Sequence, residues 1–144
     1  IPDMVITTDI IVGFPGETAD DFACTMQLLQ EIQYDNIFAF KYSRRPHTEA
    51  LDLSGHLAEE VKEARLAQVL ELQKGISLRK NKQHIGSVQE VLVEGSSKKG
   101  SMLTGRTRGN KVVNFFGLPH LHGSFVGVRI TEAGPNSLSG ELCE

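Results

Sequence analysis

T-T-D-I-I-V-G-F-P-G-E-T-A-D-D-F, residues 7–22, decides the fold of the first half of the chain. The run from Met4 to Val12 is apolar almost throughout, the pattern of a strand covered on both faces in a parallel sheet. In such a strand Val5, Thr7, Asp9 and Ile11 share one face, and Ile6, Thr8, Ile10 and Val12 share the other. Asp9 is therefore a carboxylate set among apolar neighbours. Gly13-Phe14-Pro15-Gly16 ends the run with residues suited to a tight turn and a close backbone approach. Thr18 is placed to cap a helix, with Asp21 at the capping-box position usually held by Glu or Gln. Phe22, Met26, Leu29 and Ile32 then recur at helical spacing as a buried stripe. A second strand, residues 36–43, completes a βαβ unit. The turn lacks the Lys-Ser/Thr ending of a phosphate loop.

Working outward, a polar loop over residues 44–55 leads to a long helix over about 58–84. Its acidic residues come first and its basic residues last, an order that suits the helix dipole. Leu66, Val69, Leu70, Gln73 and Ile76 supply its contact face, and Gly75 marks a weak point or bend. Beyond Gly86 the pattern changes to five short strands, near residues 88–93, 102–107, 111–115, 125–132 and 138–142, separated by Gly, Asn and Ser. That spacing predicts a small β-barrel or sandwich. The expected domains are residues 1–84 and 85–144. Two strands and two helices do not close an α/β domain, and the pattern opens mid-unit without an initiating methionine. The expectation is the C-terminal part of a longer protein.

Composition is that of a globular chain, with 40% hydrophobic and 23% charged residues among 144. No apolar run reaches membrane-spanning length. Two distant cysteines, Cys24 and Cys143, give neither a disulfide framework nor metal-ligand spacing. His120 and His122, without Cys, Asp or Glu beside them, make a poor zinc site. The net charge of −3 conceals a strong asymmetry: residues 1–73 carry 5 basic and 13 acidic side chains, and residues 74–111 carry 9 basic and 2 acidic ones. A concentrated positive segment in an acidic chain points to a polyanionic partner or to a solvated surface.

As a string, T-D-I-I-V-G-F-P-G-E-T (8–18) resembles a signature of the radical-SAM methylthiotransferases. Y-S-x-R-P-x-T-x-A (42–50) is similar to the end of their next strand. L-T-G-R-T (103–107), N-K-V-V-N-F (110–115) and V-R-I-T-E-A-x-x-N-S-L-x-G-E-L (128–142) resemble their C-terminal TRAM domain. The resemblance covers essentially the whole chain and is nearest to the tRNA-modifying branch. Arg44 and His47 depart from the family pattern, where Pro and Gly are more usual.

The resemblance implies an α/β remnant of a (β/α) radical-SAM barrel followed by a small all-β, OB-like TRAM barrel. It implies an enzyme that adds a methylthio group to a modified adenosine next to the tRNA anticodon. It also implies S-adenosylmethionine and two 4Fe–4S clusters in the full-length enzyme, with tRNA as partner, in a cytoplasmic monomer. The cluster cysteines are absent from this sequence, so no metal ligand and no catalytic residue is assigned, and this chain alone is expected to be inactive. Asp9, Gly13, Pro15, Gly16, Tyr42 and Ser43 are the candidates for the cofactor pocket. Lys98, Lys99, Arg106, Arg108, Lys111 and Asn114 are the candidates for RNA contact, with Phe115 or Phe116 available to stack a base. Two alternatives stand beside this reading: the branch acting on a ribosomal protein, and a non-catalytic RNA-binding module.

Overall fold

The computed structural model describes residues 4–97 and 102–143. The chain divides into two compact units, Val5–Ile76 and Ser77 onward. In order, the elements are β1 (Thr7–Val12), α1 (Ala19–Ile32), β2 (Asn36–Lys41), α2 (Glu59–Lys82), β3 (Val88–Ser96), β4 (Leu103–Thr107), β5 (Val112–Phe115), β6 (Phe125–Ala133) and β7 (Leu138–Leu142). Short 3-10 turns lie at Glu49–Leu51 and Pro119–Leu121. Among the described residues no helix is long and apolar enough to cross a membrane.

In the first unit β1 and β2 pair in parallel, with Asp9 opposite Phe38 and Val12 opposite Lys41. Helix α1 starts where Thr18 caps it. The Asp21 amide donates to Thr18 Oγ1 at 3.1 Å and the Thr18 amide donates to Asp21 Oδ2 at 2.9 Å, so Asp closes the capping box reciprocally. The helix ends at Gln33, which takes a left-handed conformation and returns its N–H to Leu29 O. Val12, Phe22, Leu29, Ile37 and Val69 form the core, joined by Ile10, Met26, Tyr34, Ala39, Leu66 and Leu72. The first stretch of α2 thus covers the same sheet face as α1.

Three expectations change here. The strand pair is covered on one face rather than two: Ile11, Phe38 and Phe40 on the other face are each more than half exposed. Two strands offer only one helix-packed surface, and no described residue covers the second. Ile32 and Leu70, expected on contact faces, are exposed, because the helices that bear them have no neighbour on those sides. Gly75 does not break α2, which is helical through it.

The second unit is a closed barrel with strand order β3-β4-β5-β7-β6. Closure pairs β5 with β7 in parallel and every other neighbouring pair antiparallel, which removes free sheet edges. Strand side chains alternate between the two faces, and Val91, Val93, Leu103, Val113, Phe115, Val128, Ile130 and Leu138 lie inside. Gly105 and Gly140 also face in, where a Cβ would collide with the neighbouring strand backbone. Asn81, in the last turn of α2, is buried and donates to Gly134 O (2.8 Å) and Pro135 O (3.3 Å), fastening the β6–β7 turn.

Candidate functional site

Two places bring the sequence candidates together, one in each unit. The first is the carboxyl end of β1 and β2. Gly13 and Gly16 both have left-handed φ, 72° and 85°, so the turn needs glycine at these two points. Glu17 holds the turn from within. Its Oε2 accepts the N–H groups of Gly13 and Phe14, and Oε1 pairs with Arg65 at 2.9 Å. Arg65 donates also to Glu17 O at 3.1 Å and lies over the Phe22 ring. Both side chains are nearly buried. The sequence gives Glu17 the look of a helix-start charge; its role as the tie of the turn depends on Arg65, 48 residues away, and no local signal reveals it.

Tyr42 and Ser43 follow β2. Tyr42 is buried and donates its hydroxyl to Ala50 O at 3.0 Å, and its ring meets the Phe14 ring edge-on at 5.3 Å. The loop after β2 folds back over this end, and the Gly16 amide donates to Gly55 O at 2.9 Å. Together Ile11, Phe14, Phe40, Tyr42, Ser43, Arg45, Thr48 and Ala50 line a pocket of about 500 Å³. That size and an apolar wall with a few polar groups suit a small-molecule ligand. Ser43 is on the wall; Gly13, Pro15 and Gly16 form the adjoining turn. Asp9 lies on the open sheet face, two residues before Ile11, and its carboxylate has no donor partner among the described residues.

Lys41 also lines this pocket and belongs to an ion cluster. Lys41 pairs with Glu59 and, at 2.8 Å, with Glu63; Lys62 pairs with Glu59 at 2.6 Å and donates to Tyr42 O at 3.3 Å. The hydrogen bonds from Lys41 and then Lys62 hold the Glu59 carboxyl down at about 2, and the same contacts raise the Lys41 ammonium above its usual range.

The second place is the outside of the barrel. Arg106 donates from Nε to both oxygens of Glu94 (3.1 and 3.2 Å) and from Nη1 to Asn110 Oδ1 (3.1 Å). Arg108 donates from Nε to Glu90 Oε1 at 2.8 Å, which raises its pKa, and is otherwise exposed. Asn114 is half-buried on the outer face, opposite Thr104 of β4 and Ser139 of β7. Lys111 donates to Asn81 Oδ1 at 2.9 Å, so this cation is engaged in holding the fold. Lys98 and Lys99 lie outside the described residues. Phe115 is fully buried in the core, whereas Phe116 is exposed. Sequence pattern overlooked Phe125, which is two-thirds exposed at the start of β6.

No group of three or more His, Cys, Asp or Glu side chains able to hold a metal occurs among the described residues. Cys24 and Cys143, the two cysteines of the sequence, stand in no such group among the described residues.

The profile of the TRAM domain matches residues 82–143, the barrel with the last residue of α2. Over nearly its whole length the chain is similar to proteins named tRNA-2-methylthio-N(6)-dimethylallyladenosine synthase. It is 48% identical over 142 residues to that of Geotalea uraniireducens, 50% over 141 to that of Geobacter metallireducens and 51% over 142 to that of Thermodesulfovibrio yellowstonii. These alignments cover 98–99% of this chain and 32% of each relative, so the chain spans about a third of their length. Because the identity runs through both units, the strand-end turn and the barrel alike, the chain belongs to the methylthiotransferase family as a segment that corresponds to its C-terminal region.

Proposed function

We propose that this chain is the C-terminal part of an enzyme that adds a methylthio group to a modified adenosine next to the tRNA anticodon. In this reading residues 1–84 end a radical-SAM (β/α) barrel, with α2 as the linking helix, and residues 85–144 form the TRAM domain that grips tRNA. One observation carries it: identity near one residue in two runs across both units to proteins named for this reaction. The barrel adds a second support, since its unit, residues 77–144, carries 9 basic and 5 acidic side chains, a balance suited to phosphate contact. The full-length enzyme would work on tRNA as a cytoplasmic monomer.

The pocket at the strand ends fits the adenosyl part of S-adenosylmethionine. Its aromatic and apolar wall suits a purine ring, and Ser43 and Thr48 supply hydroxyls for polar groups. Glu17 occupies the N–H groups of Gly13 and Phe14, so the turn offers shape and Phe14 rather than free amides. When bound, S-adenosylmethionine would supply radical chemistry, with the electron coming from a reduced cluster held elsewhere in the protein, and the methyl group; the residues here would bind the adenosyl end, hold it and exclude water from one side. Asp9, on the open face, is set to accept a hydrogen bond in the enclosed barrel. The clusters fit no donor set in this chain, so their ligands would come from elsewhere in the protein.

The test is tRNA binding by this chain over a range of salt. Released counterions make log K fall linearly with log salt, by about 0.9 per duplex phosphate contact. Arg106→Ala is expected to weaken binding and flatten the slope by roughly one contact, with little effect on melting because its ion pair is exposed. A chain that binds tRNA with no salt dependence, or not at all, would overturn the reading.

A further inference from the structure

Resting on the RNA reading above, we propose that the outer row Phe125–Leu92–Arg106, running across three adjacent strands, is the platform for unpaired bases of the RNA. The register fixes this row. Phe125 of β6 stands opposite Leu92 of β3, and Leu92 stands opposite Arg106 of β4. Neighbouring strands lie about 4.8 Å apart, so the phenyl ring and the guanidinium stem start about 10 Å from one another. All three side chains are exposed: Phe125 by 66% and Leu92 by 37%, with Arg106 comparable. The backbone beneath them is held just before Phe125, where Val93 N–H donates to Ser124 O at 3.0 Å and Gly123 N–H donates to Val93 O at 2.9 Å, and after it by the β3–β6 ladder, in which Val126 stands opposite Val91. An aromatic ring on a fixed ladder presents its face with little loss of freedom on binding.

The two arginines near this row share a further property. Arg106 and Arg108 each use Nε on a carboxylate, Glu94 and Glu90 respectively. A guanidinium has five N–H donors in a planar fork. Anchoring through Nε orients the plane, and it leaves the two Nη2 hydrogens of Arg106 and both terminal amino groups of Arg108 without a partner among the described residues. A terminal fork is the edge that grips a phosphate. Ring, aliphatic surface and oriented forks on one face match a single strand, whose bases stack and whose phosphates lie alongside. A duplex hides its bases and cannot use the ring. The excess of cations in this unit favours a polyanion over a protein partner.

The chain contains no tryptophan, so Phe125→Trp installs a single reporter. A short oligouridylate is expected to quench its emission, and an RNA duplex of equal charge is not. Phe125→Ala is expected to weaken oligouridylate binding roughly tenfold at every salt concentration with an unchanged salt slope. Phe125→Leu should behave like the alanine variant and Phe125→Tyr like the parent. Arg106→Gln should instead flatten the slope. Melting curves of the variants should match the parent, since the ring is exposed. Unchanged affinity of Phe125→Ala together with unchanged emission of Phe125→Trp, while salt-dependent tRNA binding persists, would overturn the platform and leave the RNA reading intact. Loss of all RNA binding in the parent chain would remove both. Emission that shifts with protein concentration in the absence of RNA would mean that this face pairs two copies, which also overturns the proposal.

Discussion

Gly13 and Gly16 look equivalent in the sequence, and the structure separates them. Both have left-handed φ, which costs a side chain about 1–2 kcal/mol. A Cβ on Gly16 would meet open space, whereas one on Gly13 would overlap the Lys62 stem. That stem is not free to swing, because the Lys62 ammonium pairs with Glu59 and donates to Tyr42 O. Gly16→Ala is therefore expected to lose only the backbone term. Gly13→Ala should lose about 1–3 kcal/mol more through overpacking. Denaturant titration of the two variants checks the order; equal losses would show that Lys62 yields without cost. The need for a glycine-rich turn was legible from Gly-Phe-Pro-Gly alone. Which glycine is pinned was not, since Lys62 lies 49 positions on.

At the scale of elements, the charges at the two helix starts give a pH dependence with a definite sign. Hydrogen bonds from the Thr18 side chain and then its backbone lower the Asp21 carboxyl below 3.8. Lys41 and Lys62 lower Glu59 from 4.5 to about 2. A carboxyl whose pKa is depressed in the folded state adds stability at pH values above its unfolded pKa. That contribution disappears as pH falls through the folded value. Thermal stability should thus drop between about pH 4.5 and 2. Glu59→Gln should lower melting temperature near neutral pH, and its curve should converge on the parent's at pH 2. Parallel curves over that range would show that the Lys41–Glu59–Lys62 cluster contributes nothing. The exposure of both groups keeps the effect small and sensitive to salt.

Elements themselves were the most legible part of the chain. Each of the five barrel strands appears where the spacing of short runs between Gly, Asn and Ser placed it, within a few residues at the ends. The Thr18–Asp21 box forms although Asp is the shorter acid, because Thr18 donates its own hydroxyl to Asp21 Oδ2 at 2.7 Å as well. What sequence could not supply was anything set by distant partners. Asn81 sits in a basic helix end and looks like a surface residue; its burial comes from carbonyls 53 and 54 positions later. Lys111 resembles its basic neighbours, yet it donates to Asn81. Phe125 follows a Gly-Ser turn and matches the strand pattern of a core residue in type; only the register shows that it faces outward.

At the scale of the molecule, the two units differ in how their backbone is protected. The barrel closes on itself and buries eight apolar side chains, Phe115 among them. The first unit has one two-stranded parallel sheet, five buried core residues, and Ile11, Phe38 and Phe40 open to water. A two-stranded sheet leaves an outer edge on each strand, and local opening there exposes little additional apolar surface. Amide exchange should therefore be slowest in the barrel, at Val91, Val113 and Val128, and faster at Ile10 and Ile37 in the sheet. Heating should show the same order, with the first unit losing structure before the second, so that unfolding of the chain is not two-state. The measurement is native-state hydrogen exchange read residue by residue, alongside calorimetry. Equal protection in both units, with one calorimetric transition whose van't Hoff and measured enthalpies agree, would show that the units unfold as one. The open face of the first unit would then be sealed by contacts that no described residue supplies.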